Sequence, residues 1–437
     1  MADDASVVVA GAGLAGLVAA RRLAAAGADV TLFEARDEVG GRVRTRTVDG
    51  FTLDRGFQVL FTAYPAVRHE LDLDALDLRA FDPGAIIARP GERSVLADPR
   101  RRPGDAVESL LNREVTVSDK LRTLALQQDL AGRTESEIFR RPDASIREYL
   151  REWGFSPKFL RNFVAPFYGG ITLDRSLSTS KRVFEFTFKM LAEGSIAVPA
   201  AGMGAIPAQL AARAREAGVE VVLDEAVESV ERGATDAGAG RGGDGVTVAT
   251  ADRTVDADAV VVATDPKAAR DLTGVPEIPT RGRGCVTQYY SLPAGLDVDR
   301  KLLLNADDAE PNTVVPLSTV APEYGDGERE LLNATFLGSA ALARDADDLF
   351  ETARETIAAW FPERRLDGLD LVATDRIPFA QFDQPPGSHD DLPRARTPGD
   401  GVYLAGDYTA WSSIQGALRS GREAASAVGA DLELDGI

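Results

Sequence analysis

Gly11, Gly13 and Gly16, in the run GAGLAG, directly follow the apolar stretch Ser6–Ala10 (SVVVA) and open a segment of helical character from Leu14 to Ala26. That order gives each glycine a separate task at a strand-to-helix turn. Gly11 permits the tight turn, Gly13 admits a pyrophosphate against the helix amino terminus, and Gly16 lets helix and sheet pack closely. Leu14 and Ala15, inside the same run, count with them as cofactor-binding candidates. Gly27 stops the helix, Asp29 to Phe33 (DVTLF) reads as a second strand, and Glu34 stands at its carboxyl end. Glu34 lies 23 residues beyond Gly11, where a carboxylate accepts hydrogen bonds from ribose hydroxyls and favours an unphosphorylated ribose. This βαβ unit suits NAD and FAD equally.

The following residues separate the two. Glu34 leads through Ala35 and Arg36 to Gly40, Gly41 and Arg42, with Arg44 and Arg46 beyond. A nicotinamide enzyme has no need of this second cluster. The glycine pair lets the backbone pass close to a diphosphate, and Arg42 neutralises its charge. Near the other end of the chain, Gly401 to Ala405 (GVYLA) reads as a buried strand that runs into Gly406 and Asp407. Ile414 to Ala425 (IQGALRSGREAA) then reads as a helix. Its small residues Gly416, Ala417, Ser420 and Gly421 can approach a flat ring, and its amino terminus would stabilise charge on a reduced flavin.

Together GAGLAG, the distal Glu34, GGRVRT and YLAGDYT...SIQGALRSGREAA resemble the superfamily of flavin-containing amine oxidases and phytoene desaturases. The resemblance covers both ends of the chain and, more loosely, its middle. It implies an α/β fold, with a Rossmann-like FAD-binding domain of the glutathione-reductase type that carries a β-meander and is interrupted by a mixed α+β substrate domain. The implied FAD-binding pieces are 1–75, 195–275 and 395–437, and the substrate pieces are 76–194 and 276–394. By the same resemblance Asp407 would bind the ribityl-phosphate region and Ile414 to Ala417, Gln415 among them, the isoalloxazine, with Gly406 and Ser413 as further cofactor-binding candidates. The backbone of Val227 is implied at adenine.

The middle fits an interrupted layout. Gly202 to Leu210 (GMGAIPAQL) starts a helix leading to Val219 to Leu223, and four strands follow at Ala226 to Glu231, Val246 to Thr250, Thr254 to Ala257 and Ala259 to Ala263. They read as a meander returning to the main sheet, with Gly/Asp-rich residues 233–245 as an exposed loop. Ile86 to Ala97 reads as a hairpin around Pro90-Gly91.

Substrate-side candidates are Trp411, Tyr408 and Phe57, the last within Gly56-Phe57-Gln58. Phe163 to Ile171 (FVAPFYGGI), with Phe184, Phe186, Phe188 and Met190, suits either core packing or an apolar substrate tunnel. Many amine oxidases of this superfamily carry a lysine near the flavin on the strand after the domain crossing. Cys285 to Ser291 (CVTQYYS) has none, Lys267 and Lys301 being the nearest, which shifts weight toward dehydrogenation of an unactivated or isoprenoid C–H bond. The flavin is expected to be noncovalent, since Cys285 lies outside the terminal motif and Ser412 and Ser413 occupy that neighbourhood.

The expected function is therefore an FAD-dependent oxidoreductase that takes hydride from a lipophilic, isoprenoid-like substrate and passes electrons to oxygen or a quinone. Alternatives are an amine oxidase, a protoporphyrinogen-type oxidase, a non-redox flavin isomerase, or a flavin-free prenyl or lipid carrier. One Cys and two distant His give no metal site, and a formal charge of −20 argues against nucleic-acid partners. No stretch reads as a membrane span, so the expected location is cytoplasmic with at most peripheral membrane contact.

Six Lys stand against 43 Arg, with acidic residues spread along the whole chain, a pattern that reads as a halophile's surface. Salt would screen the self-repulsion of such a surface. The midpoint of thermal unfolding is therefore expected to rise with KCl toward molar concentration. A midpoint indifferent to KCl would refute the halophilic reading.

Overall fold

The computed structural model describes residues 5–96, 115–233, 245–293, 295–307 and 310–436. Ser6–Ala10 has apolar side chains on both faces, and such a strand needs cover on both sides. It lies at the centre of a five-stranded parallel sheet. The order is Glu220–Val222, Asp29–Phe33, Ser6–Ala10, Ala259–Val262 and Val402–Leu404. Helices Leu14–Ala25, Ala205–Glu216 and Ile414–Asp431 cover one face. The antiparallel meander Val227–Arg232, Val246–Thr250 and Thr254–Ala257 covers the other. The fourth expected strand, Ala259–Val262, is the one that rejoins the sheet.

Small residues set how closely the first and terminal helices approach. A Cβ on Gly16 would stand 1.9 Å from the Gly11 carbonyl oxygen, and one on Gly421 would stand 2.3 Å from that of Ala15. Helix touches helix through backbone. The terminal helix runs on to Asp431, beyond the Ala425 expected, because Ala427, Val428 and Gly429 continue its buried face.

A second sheet of seven strands has the order Asp370–Phe382, Gly282–Leu292, Glu330–Leu337, Thr313–Pro316, Leu302–Asn305, Ala85–Arg89 and Glu92–Leu96. The last two are the expected hairpin, and they pair with a strand more than 200 residues later in the chain. Ala97 and residues 234–244 of the expected loop lie outside the described residues. Helix Ala346–Trp360 packs its Leu349, Ala353, Ile357 and Trp360 against the outer face of this sheet. The inner face turns toward the first layer. Between them stands a helical lobe in which, among the described residues, the first three helices start in capping boxes at Thr116, Thr134 and Ser145. A small sheet of Leu60–Phe61, Ile196–Pro199 and Leu78–Ala80 pairs strands from distant parts of the chain.

Asp54 ties these parts together. Its carboxylate accepts bonds from the Thr45 hydroxyl, the Met203 amide (2.8 Å) and the Tyr324 hydroxyl (2.8 Å), while its backbone carbonyl accepts from the Tyr289 hydroxyl. Burial pushes the Asp54 carboxyl above the usual carboxylate range, and the three donors pull it back. Asp54→Ala strands those donors and is expected to cost about 3 kcal/mol or more. Tyr324→Phe removes one bond and should cost about 1 kcal/mol, so chemical denaturation of the two variants must rank them in that order.

Candidate cofactor and substrate site

The first helix opens at the carboxyl end of the central strand with Gly13 as its N-cap and no side chain bonded to its leading amides. Those amides need an acceptor. Gly13 faces open space, with no atom within 4 Å of where a Cβ would stand. Gly11 has no such freedom: its φ is +103°, and a Cβ would meet the Ala263 carbonyl oxygen at 2.8 Å. The Glu34 carboxylate accepts bonds from the amides of Ala12 (2.8 Å) and Arg36 (3.2 Å), which fixes it beside the same turn. Gly40 donates its amide to the Ala12 carbonyl, and Gly41 passes so near that a Cβ on it would touch Gly13 Cα at 3.4 Å. Arg36 braces this loop through the Gly41 carbonyl (3.1 Å). The amide of Asp224 donates to the Arg36 carbonyl and that of Glu225 to the Glu34 carbonyl, so the segment leading to Val227 runs alongside.

Arg42 joins the two ends of the chain. Its guanidinium lies 2.7 Å from Asp407 Oδ1 and donates to the Ala380 carbonyl (3.1 Å). Asp407 Oδ2 accepts from the Ser412 hydroxyl (2.7 Å), and the Gly406 amide donates to Ser420 Oγ (2.9 Å). Ser413 caps the terminal helix through the Gly416 amide (2.8 Å). Gly416 is required there, since a Cβ would fall 2.0 Å from the Trp411 carbonyl oxygen. Ile414 and Ala417 keep some exposure at this helix start. Gln415 spends both ends of its amide on the Ala66 amide and on Glu135, leaving only its backbone for a cofactor.

These groups fit FAD. The uncapped amides and Arg42 suit a pyrophosphate, Glu34 suits a ribose, Asp407 stands between the two motifs, and the small-residue helix start suits a ring. Gln58 adds a buried Oε1 without a hydrogen-bond partner among the described residues, its Nε2 being bound to the Arg42 carbonyl (3.1 Å).

Two of the three substrate-side candidates are packed elsewhere. Tyr408 lies in the core on the meander side of the sheet, its hydroxyl donating to the carbonyls of Val262 and Ala405 (3.1 Å each), which gives it a packing place there. Trp411 is 1% exposed among the rings of Tyr64, Phe139 and Phe186, and its indole N–H donates to Glu135 (2.8 Å). It is a packing residue beneath the loop. Phe57 is half-buried at the seam between the two sheets, edge-on to Phe81. Neighbouring Gly56 fits there for want of a side chain, as a Cβ would meet Ile377 Cδ1 at 2.5 Å.

The aromatic run divides. Phe186 and Met190 join the core around Trp411, whereas Phe184 and Phe188 face the helical lobe with Tyr168. Phe163, Phe167 and Ile171 remain half-buried. Strand Gly282–Leu292 carries no lysine; Lys267 lies in helix Pro266–Thr273, and Lys301 is fully buried with its ammonium 2.7 Å from Asp299. Burial pushes the Cys285 thiol up to about 11, which leaves it an inert thiol at neutral pH.

Glu135 is the site residue that sequence reasoning missed. It accepts bonds from Trp411, Gln415 and Arg419, each at 2.8 Å, and so anchors the terminal helix from the helical lobe. Its only local signal is the Thr134 capping box, which marks a helix start and no partner.

Residues 14–429 match the family described as flavin containing amine oxidoreductase. The 15-cis-phytoene desaturase of Arabidopsis thaliana is 24% identical over 475 aligned positions, covering 99% of this chain and 81% of that protein. Among solved structures, an oxidoreductase from Methanosarcina mazei superposes with a TM-score of 0.74 at 18% identity, covering 95% of this chain and 99% of that one. Cyclohexylamine oxidase from Brevibacterium oxydans gives 0.69 at 18% identity, covering 98% and 100%. With the dinucleotide turn, the Arg42–Asp407 junction and the family match in agreement, this chain belongs to the flavin containing amine oxidoreductase family and is an FAD-dependent oxidoreductase.

Proposed function

We propose that the protein dehydrogenates a lipophilic, isoprenoid-like substrate, with noncovalent FAD as hydride acceptor and oxygen or a quinone as the final acceptor. In this reading residues 1–75, 195–275 and 395–437 hold the cofactor, and 76–194 and 276–394 shape the substrate site. The observation that carries it is the inner face of the seven-stranded sheet. Strand Gly282–Leu292, whose Thr287 lies beside Gly56, offers Cys285, Thr287 and Tyr289 on that face, with no lysine, and Asp375 beside them is matched by Arg46. The sheet face itself offers a cationic amine no carboxylate without a cation among the described residues, and Asp54 behind Tyr289 is buried and taken by three donors. Half-buried Phe57, Phe163, Phe167 and Ile171 offer apolar surface instead.

Bound FAD supplies a ring that accepts a hydride, two electrons and one proton, from a substrate C–H bond, and the second hydrogen leaves the adjacent carbon as a proton to solvent. The chain's own residues bind, orient and exclude water. Glu34 would hold the adenosine ribose, the amides at Gly13 to Ala15 the pyrophosphate, and Arg42 would divide its charge between diphosphate and Asp407. The amino terminus of Ile414–Asp431 would stabilise the negative charge that reduction places on the ring. Trp411, locked by Glu135, keeps that helix start rigid. No helix among the described residues is long and apolar enough to cross a membrane, so a substrate dissolved in lipid would be met at the membrane surface.

Protein purified in molar salt is expected to release a yellow chromophore on denaturation. Anaerobic addition of isoprenoids, and not of primary amines or porphyrinogen, is expected to bleach it. Bleaching by amines alone would replace the proposal with amine oxidation. Glu34→Ala removes charge-assisted bonds to the ribose and should raise the dissociation constant for FAD about 10- to 100-fold, measured by flavin fluorescence. Unchanged affinity would remove Glu34 from the site.

A further inference from the structure

A line of side chains crosses the inner face of the seven-stranded sheet, perpendicular to its strands. Register sets Asp375 opposite Thr287, Thr287 opposite Thr335, and Thr335 opposite Thr313. Directly opposed residues of antiparallel strands share a face. Asp375 closes one end of the row in a two-bond pair with Arg46 (2.7 and 3.1 Å).

The hydroxyls of Thr287 and Thr335 are buried and have no hydrogen-bond partner among the described residues; the thiol of Cys285, a weak partner at best, is beside the first. One register step along, Asn333 stands opposite Tyr289 and Val315 and carries both amide atoms buried and unpaired. Buried polar groups are paired as a rule, so neighbouring orphans on one face call for a partner beyond the described residues. The face is the right one for a ligand. A Cβ on Gly56 would lie 3.8 Å from Thr287 Oγ1, which puts the row against the Gly56-Phe57 segment, and one on Gly170 would lie 3.9 Å from Thr313 Cγ2. The opposite face is sealed by helix Ala346–Trp360.

Hydroxyls and a carboxamide both donate and accept, and with Asp375 neutralised the row carries no unmatched charge. Its complement is a neutral oxygen. We propose that Thr287, Thr335 and Asn333 form the polar end of the substrate site and hydrogen-bond a neutral hydroxyl or carbonyl on an otherwise lipophilic substrate. This rests on the reading of the site given under Proposed function, and it names the substrate class more narrowly: an oxygenated lipid rather than a pure hydrocarbon.

The test titrates the FAD-loaded enzyme with a polyprenyl alcohol and with the polyprenyl hydrocarbon of matching length, following the flavin absorbance bands. The alcohol is expected to bind about tenfold more tightly or better. Thr335→Val and Thr287→Val, which keep side-chain shape, should bring the ratio near one, leave the hydrocarbon's affinity in place, and leave the thermal midpoint unchanged or higher. A purely structural role would lower the midpoint and weaken both ligands together, and that result overturns the proposal. Equal binding of alcohol and hydrocarbon by the unmodified enzyme overturns it as well, while sparing the lipophilic reading. If neither ligand perturbs a bound flavin, that reading fails and this proposal falls with it.

Discussion

The first helix begins without a side chain to satisfy its leading amides, and the structure around it is arranged so that an anion can do so. Gly11 and Gly16 bring strand, turn and helix so close that any Cβ would collide, while Gly13 is left facing open space. Glu34, held by the Ala12 and Arg36 amides, sets the distance from that helix start to the place where a ribose would lie. The Gly40-Gly41 loop comes over the top and delivers Arg42. A site for FAD thus follows from one unpaid electrostatic demand and the absence of side chains that would block it.

Polar junctions knit a discontinuous chain around this site. Arg42 and Asp407 connect segments more than 360 residues apart in sequence, with Asp407 almost wholly buried and Arg42 partly exposed. Glu70, fully buried, gathers Arg21, Arg22 and Arg422 and so clamps the first helix, the helix Pro65–Glu70 and the terminal helix. Asp54 and Glu135 do the same between the two sheets and between lobe and terminal helix. Glu70, Asp54 and Glu135 each take three donors, and Asp407 takes Arg42 and the Ser412 hydroxyl, as a buried charge requires when desolvation has to be offset. Excess arginine over lysine suits this design, because a planar guanidinium can serve two acceptors at once.

The two layers differ in chemistry. The parallel sheet sends its carboxyl ends toward the cofactor, where backbone amides and glycines dominate. The seven-stranded sheet presents side chains: aliphatic ones with Tyr290 and Phe336 toward helix Ala346–Trp360, and a polar row with Tyr289 toward the first layer. The cofactor motif is therefore a matter of backbone geometry that leaves no room for side chains at Gly11 and Gly16, while in the proposed reading substrate choice falls to side chains of the seven-stranded sheet.

The sequence by itself determined the nucleotide half. GAGLAG after SVVVA, Glu34 at the end of a second β-rich run, the glycine pair before Arg42 and the small-residue helix after Asp407 are local signals, each readable because turns, caps and close helix packing are decided by neighbours in the chain. The meander and the hairpin at Pro90-Gly91 were legible for the same reason. Only the tertiary structure decided what the long-range contacts are. Tyr408 and Trp411 follow the cofactor motif in sequence, yet Tyr408 turns to the meander core and Trp411 is claimed by Glu135, 276 residues earlier. Helix Lys181–Glu193 sends Phe186 and Phe188 to different cores, a split that a run of aromatics does not announce. The row of Thr287, Thr335 and Thr313 exists only through strand register, since no local pattern tells one threonine which residue will lie across the sheet from it.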